Sequence, residues 1–339
     1  MTVISSFLEA YRDRPEIARY RLDGDYATLL LTPRFKASRH VIFLLMPEGQ
    51  SEPTLVAKLP RLPQASDSLE REASILQLIQ TMRREKLDSV PQVVAYENYC
   101  GYPILVETAI NGILMDNRYI RRHLDACCRA VLDWLIAIQP QDRAQLHTDA
   151  YKRLVRAPLR YFGEYFPLNE EESELLAATE DLIAPLTKML LPMVIEHGDL
   201  SHPNIIVNAQ GKVGVIDWEL AIAEGLPACD LFFFLTYAAF ARDRAGKTGD
   251  HVGAFHRAFF EKNGWARPYV KSYLRRMGIP DNAAQPLFVL CWIRYIIQLL
   301  QRLDTSEQII DQKTADWLRG NRYYALWRHT VTHADMLTW

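Results

Sequence analysis

The spacing of apolar and polar positions alternates between helical and strand periods along the chain, and each change predicts a new kind of element. Residues 1 to about 20 carry apolar side chains at helical spacing and predict an amphipathic helix. The period then shortens to that of strands. YATLLLTPRF (26–35) and RHVIFLLM (39–46) are β-rich runs separated by KAS, and PTLVAKLP (53–60) is a third strand closed by prolines. The helical period returns in SDSLEREASILQLIQTMRRE (66–85), where Leu69, Ala73, Leu76 and Ile79 recur three or four apart and Ser66 or Asp67 serves as the cap. PQVVAYEN and YPILVET predict a hairpin, with a chain reversal at Gly112. Helical patterns follow near 120–139 and 170–190 and through most of 229–339. The order predicts an α+β chain of two lobes: a small β-rich N-terminal lobe with one main helix over 1–107, a hinge at 108–112, and a larger, mainly helical lobe over 113–339.

Composition narrows the class without changing this outline. With 49% hydrophobic and 24% charged residues, and 39 Lys plus Arg against 41 Asp plus Glu, the chain reads as an ordinary soluble protein with no nucleic-acid partner. The first dozen residues carry charges and lack an apolar core and a cleavage site, so no signal peptide is expected. No window approaches the roughly 18 apolar residues of a membrane span, so no membrane partner is expected either. Five cysteines without a CxxC pair suggest buried thiols in a reducing compartment, and hence a cytoplasmic location. Acidic residues crowd 163–230, where only Lys188 and Lys212 oppose them. EEESE near 170–174 reads as a solvated helix start. Asp199, Asp217 and Glu219 need another reason.

That reason lies in EHGDLSHPNIIVNAQGKVGVIDWE (196–219). Two short apolar strands flank a tight turn at Ala209–Lys212, so the end of the second strand returns beside the loop that opens the first. Asp199, Asn204 and Asp217 are thereby expected to converge. Phosphoryl transfer needs a carboxylate to orient and deprotonate a hydroxyl, and oxygen ligands for the Mg²⁺ that neutralises nucleotide phosphates. In the protein-kinase loop H-R-D-x-x-x-x-N, Asn follows Asp by five positions, as Asn204 follows Asp199 here.

HGDLSHPN followed by VIDWE, with Asp230 in PACDLFFF, resembles the aminoglycoside phosphotransferase and choline kinase family, small-molecule kinases of the protein-kinase-like fold. The resemblance implies Asp199 as catalytic base, Asn204 and Asp217 as magnesium ligands, and His197 and Asp230 as supports of the loop. It further implies Lys58 of TLVAKLP as the strand lysine for the nucleotide phosphates, Glu72 as its helix partner with Glu70 as a lesser substitute, and a hinge around Glu107 to Ala109 that meets the adenine. Between the first two strands TPRFKASRH has no glycine. Ser38 is the candidate phosphate contact there, with Arg34, Lys36 or Arg39 adding charge, and a solvated basic hairpin tip is an equal alternative.

Gly198 stands where many protein kinases have an arginine, and only twelve residues separate Asp217 from Asp230, so a small acceptor is expected rather than a peptide. Trp218, Glu219, Glu224 and Arg294 are candidate acceptor contacts; Trp292 and Tyr295 fit a helix core better. An arginine such as Arg294 would suit an anionic acceptor. The expected activity is transfer of the γ-phosphate of ATP or GTP to a hydroxyl of an aminoglycoside, sugar or amino alcohol. A catalytically silent nucleotide- or metabolite-binding regulator is one alternative. A metal-dependent hydrolase built on His197, Asp199 and His202 is another. The residues leave the acceptor, the choice of nucleotide and the oligomeric state open.

Overall fold

The structure, a computed structural model, describes residues 3–20, 26–31, 40–61, 66–82, 87–303, 308–337 and 339. The chain forms two compact units, one from Met1–Met115 with Pro203–Ile222 and the other from Asp116–His202 with Ala223–Trp339. The segment 203–222, expected in the second lobe, thus packs with the first.

The first unit opens with α1 (Val3–Tyr11), which stops short of the helix expected over 1–20. Pro15 lacks an amide hydrogen and starts a separate turn, Pro15–Ala18. Strands β1 (Tyr26–Leu31), β2 (His40–Pro47), β3 (Leu55–Pro60), β4 (Val93–Tyr99) and β5 (Tyr102–Thr108) form an antiparallel sheet in the order β1-β2-β3-β5-β4. Between β3 and β4 runs α2 (Ser66–Met82). Strand alternation gives the sheet two apolar faces. Ile104 and Val106 of β5 join Ile4, Phe7, Leu45, Leu55 and Ala57 in one core, whereas Leu105 packs with Leu69 and Ala73 of α2.

Five short strands follow in the chain: β6 (Ile113–Leu114), β7 (Val194–Glu196), β8 (Ile205–Val207), β9 (Val213–Val215) and β10 (Ile222–Gly225). Strands β6, β8 and β9 make a second antiparallel sheet, which explains why 203–222 belongs to the first unit. At Gly112, φ is +147° and a Cβ would stand 2.5 Å from the Val207 oxygen, so the chain reversal there requires glycine. The expected turn at 209–212 is closed by Asn208, whose side chain accepts from the amides of Gln210 and Lys212.

The second unit contains α3 (Asn117–Ala137), α4 (Ala157–Tyr165), α5 (Glu170–Ile183), α6 (Cys229–Arg242), α7 (His251–Phe259), α8 (Arg267–Met277), α9 (Ala284–Leu303), α10 (Gln312–Arg319) and α11 (Arg322–Thr332). Helix α6 buries Phe232, Phe233 and Phe234 and nearly every other side chain, and each such phenyl ring stabilises the fold by about 1.5–3 kcal/mol relative to exposure. Contrary to the sequence expectation, the stretch Asp281–Leu303 is long and apolar enough to cross a membrane, but 78% of its apolar window is buried inside the protein, as in a core helix. The acidic start of α5 is also more than solvated surface. Glu172 completes a capping box with Asn169 and, nearly buried, binds Arg319 and Tyr324. Of the five free cysteines four are buried, while Cys100 is exposed.

Candidate active site

Lys58 lies in β3, the central strand of the five-stranded sheet, and its side chain points to the face that α2 covers. There Lys58 Nζ sits 2.6 Å from Glu72 Oε1 and 2.9 Å from Glu107 Oε1, with all three side chains buried. Glu70, by contrast, is exposed. Burial alone would push the Lys58 ammonium down, but Glu107, Glu72 and Asp217 together outweigh it and hold the group firmly charged. Two carboxylates share this one cation, and burial lifts the Glu107 carboxyl to about 7 against the pull of Lys58, with Glu72 and Asp217 adding to the rise. Oxygens Oε2 of both Glu72 and Glu107 are buried without a hydrogen-bond partner.

Glu107, whose backbone was expected at the hinge, directs its carboxylate into the lysine network. Its signal in the sequence was an acid in the otherwise apolar strand YPILVET. The amide of Ala109 donates to Thr54 O at 3.0 Å. Ser38, Arg34, Lys36 and Arg39 lie outside the described residues.

The metal candidates come from the β8–β9 hairpin. The amide of Ile216 donates to Asn204 O at 3.0 Å, which fastens the Asn204 turn beside the segment that carries Asp217. Asp217 holds φ at +69°, a left-handed conformation uncommon for a residue with a Cβ and frequent at functional sites. Its half-buried carboxylate takes no hydrogen bond from the described residues, and it adds to the negative field at Lys58. An amide oxygen and a carboxylate are the hard donors that suit Mg²⁺. The metal-dependent hydrolase on His197, Asp199 and His202 fares worse: among the described residues no group of three or more His, Cys, Asp or Glu is arranged to hold a metal.

Trp218 and Glu219, the candidate acceptor contacts, are both engaged within the first unit. Trp218 is 1% exposed, its indole donates to Val215 O, and its amide donates to Glu72 Oε1 at 2.9 Å. Glu219 places its carboxylate 3.4 Å from His40 Nδ1, and the other nitrogen of that ring is 2.9 Å from Ser68 Oγ. Both residues brace α2 and β2.

In the second unit β7 leads into the loop that carries Asp199. Asp230, at the first turn of α6, accepts from the amides of His197 at 2.7 Å and Gly198 at 2.9 Å. Gly198 has φ +82°, which a side chain would strain. The Asp199 amide donates to His197 Nδ1 at 3.3 Å, and Ser201 donates back to Asp199 O at 2.7 Å. His197 and Asp230 thus hold the loop from beneath. Burial and neighbouring Glu196 lift the Asp230 carboxyl to about 7, opposed by the two amides and Arg294.

Arg294, expected at the acceptor, is 5% exposed and grips Glu196 through both terminal nitrogens at 3.0–3.3 Å. Its charge is consumed inside the fold, so it has none to offer an anion. Trp292 is fully buried, Tyr295 nearly so, and Glu224 meets Arg153 on the surface at 3.6 Å.

Residues 37–271 match the sequence pattern of the phosphotransferase enzyme family. The chain belongs to that family. Its fold agrees with those of known phosphotransferases. An aminoglycoside 2'-phosphotransferase in its GDP complex shares 14% identity over 96% of this chain and 98% of its own, with a TM-score of 0.55. A choline kinase from Streptococcus pneumoniae shares 13% identity over 98% of each chain, with a TM-score of 0.54. An ethanolamine kinase from Plasmodium vivax shares 13% identity over 96% of this chain and 94% of its own, with a TM-score of 0.54. No curated protein sequence matches the chain. The phosphotransferase family and the kinase-like α+β fold expected from the motifs therefore both hold for this chain.

Proposed function

We propose that the protein moves the γ-phosphate of ATP or GTP to a hydroxyl of a small molecule, with Asp199 as base. The observation that carries this reading is the buried Lys58–Glu72 pair at 2.6 Å, whose glutamate oxygen also receives the Trp218 amide next to Asp217. Phosphate charge and metal ligation are thereby served by one connected frame. Bound nucleotides in relatives agree with it: one aminoglycoside phosphotransferase is known with GDP and one choline kinase with AMP.

In this reading Lys58 meets the nucleotide phosphates, while Asn204 and Asp217 hold Mg²⁺, which supplies charge neutralisation on the transferring phosphoryl group. Asp199 orients the acceptor hydroxyl and takes its proton as the oxygen bonds to phosphorus and the nucleoside diphosphate leaves. The Asp230 clamp on the amides of His197 and Gly198 fixes that carboxylate's loop.

A melting experiment and a transfer assay test these roles. Mg²⁺-ATP is expected to raise the melting temperature of the wild type, and Asp217→Ala to abolish the rise; an equal rise in that variant would remove Asp217 from the metal site. Asp199→Asn is expected to keep the nucleotide-dependent rise while transfer falls by roughly 10²–10⁴-fold. Full turnover in Asp199→Asn would refute the base assignment.

A further inference from the structure

Beyond the loop of Asp199 the second unit holds a cluster of tyrosines and arginines that the motifs do not mention. Tyr237 of α6 and Tyr323 of α11 share a hydrogen bond through their hydroxyls, and Tyr295 of α9 stands against Tyr323 with ring centroids 4.5 Å apart. Arg322 lies over this platform, 4.8 Å from the Tyr323 ring centroid, 5.5 Å from Tyr237 and 5.7 Å from Phe240. Its Nη2 donates to the Tyr323 hydroxyl at 2.8 Å and the Tyr237 hydroxyl at 3.2 Å. No carboxylate among the described residues lies within ion-pair distance of it.

The cluster adjoins the proposed base. His202, three residues after Asp199, sets its ring 5.6 Å from that of Tyr237. That histidine is 9% exposed, and its Nδ1 is buried without a hydrogen-bond partner. An imidazole nitrogen left open in this way can bond a hydroxyl. The field of Asp199 reaches both Tyr237 and Tyr295. A second arginine points the same way. Arg302 follows Tyr295 by two helical turns on the same face of α9 and leaves Nη2 buried and unpartnered.

Two guanidinium groups without carboxylate partners among the described residues create a local excess of positive charge beside one candidate base. A cationic acceptor would meet that excess at a cost, whereas an anionic one would neutralise it and satisfy the open donors. We propose that the acceptor is a hydroxylated small molecule bearing a carboxylate or phosphate, and that Arg322, seated on Tyr323, Tyr237 and Phe240, receives this anionic group while His202 and Asp199 address the hydroxyl. The proposal rests on the phosphotransferase reading above and gives its acceptor a charge. It assigns to Arg322 the part that Arg294 cannot play.

Two carbon-matched sets test it with labelled Mg²⁺-ATP: glucose, glucosamine, gluconate and glucose 6-phosphate, and glycerol, serinol, glycerate and glycerol 3-phosphate. The anionic members are expected to be phosphorylated at least about ten-fold faster than their neutral and cationic counterparts, and the two arms separate carboxylate from phosphate recognition. Arg322→Gln is expected to raise KM for the preferred anion roughly 10–100-fold with kcat and the nucleotide KM little changed, and Arg322→Lys to recover part of the loss. Equal or better transfer to neutral or cationic members, an unchanged KM in Arg322→Gln, or no transfer to any of the eight compounds would overturn the proposal while the Mg²⁺-ATP melting shift stands. Loss of that shift itself in the wild type would instead bring down the phosphotransferase reading.

Discussion

Lys58 in the first unit and Arg294 in the second each sit buried among carboxylates, yet the two clusters are balanced differently. Around Arg294 every acid oxygen is engaged: Glu196 takes the guanidinium on both oxygens and the Leu226 amide on Oε2, and neighbouring Asp230 takes the amides of His197 and Gly198. Around Lys58 two oxygens remain unpaired, Oε2 of Glu72 and Oε2 of Glu107. Buried polar groups left open are costly, so a fold retains them where a ligand or a proton completes them. The closed cluster builds the scaffold under the Asp199 loop, and the open one waits for chemistry. A buried arginine and a buried lysine thus look alike in sequence while serving opposite ends.

Three substitutions probe that contrast, the strongest first. Arg294→Met should leave Glu196 buried and unpaired and lower stability by about 3–5 kcal/mol, measured by urea unfolding, with Glu196→Leu added to it restoring much of the loss. Recovery failing in the double variant would mean that Glu196 has further duties beyond Leu226. Lys58→Met should instead act on activity, reducing transfer roughly 10²–10³-fold with a smaller loss of stability than Arg294→Met. The reverse ranking would erase the distinction drawn between the clusters.

The smallest effect concerns protons. The Glu107 carboxyl is raised from 4.5 to about 7, so the folded protein holds a proton there that the unfolded chain has already released. Its contribution to stability is full below about 4.5 and is lost as pH climbs through about 7. Glu107→Gln should flatten the stability profile between pH 5 and 8 by no more than about 2 kcal/mol. A profile as steep as that of the wild type would assign the titration to another group, with Asp230 the first to examine.

The candidate motif was legible because it is local: Asp199, Asn204 and Asp217 lie on one loop and one hairpin, and spacing alone relates them. Lys58 and Glu72 were legible for a similar reason, since polar residues in an apolar strand and an amphipathic helix stand out. The partners across long sequence separations were not. Nothing in VIEHGD or CWIRYI says that Glu196 and Arg294, 98 positions apart, will meet, so Arg294 looked available. The same blindness hid Glu107 from Lys58, and Arg322 from Tyr237. Strand parity places Glu107 on the lysine's face, but only the pairing of β3 with β5 reveals it. Periodicity likewise ran the first helix on to residue 20, because a local break at Pro15 does not disturb the apolar spacing.

One contact carries a consequence for how this protein can be controlled. A single oxygen, Glu72 Oε1, takes both the Lys58 ammonium and the Trp218 amide. A sideways movement of α2 by little more than the reach of a hydrogen bond would break both contacts at once, leaving Lys58 to Glu107 alone and the Trp218 segment to its indole bond with Val215 O. The position of α2 is therefore felt at the strand lysine and beside Asp217 through the same atom.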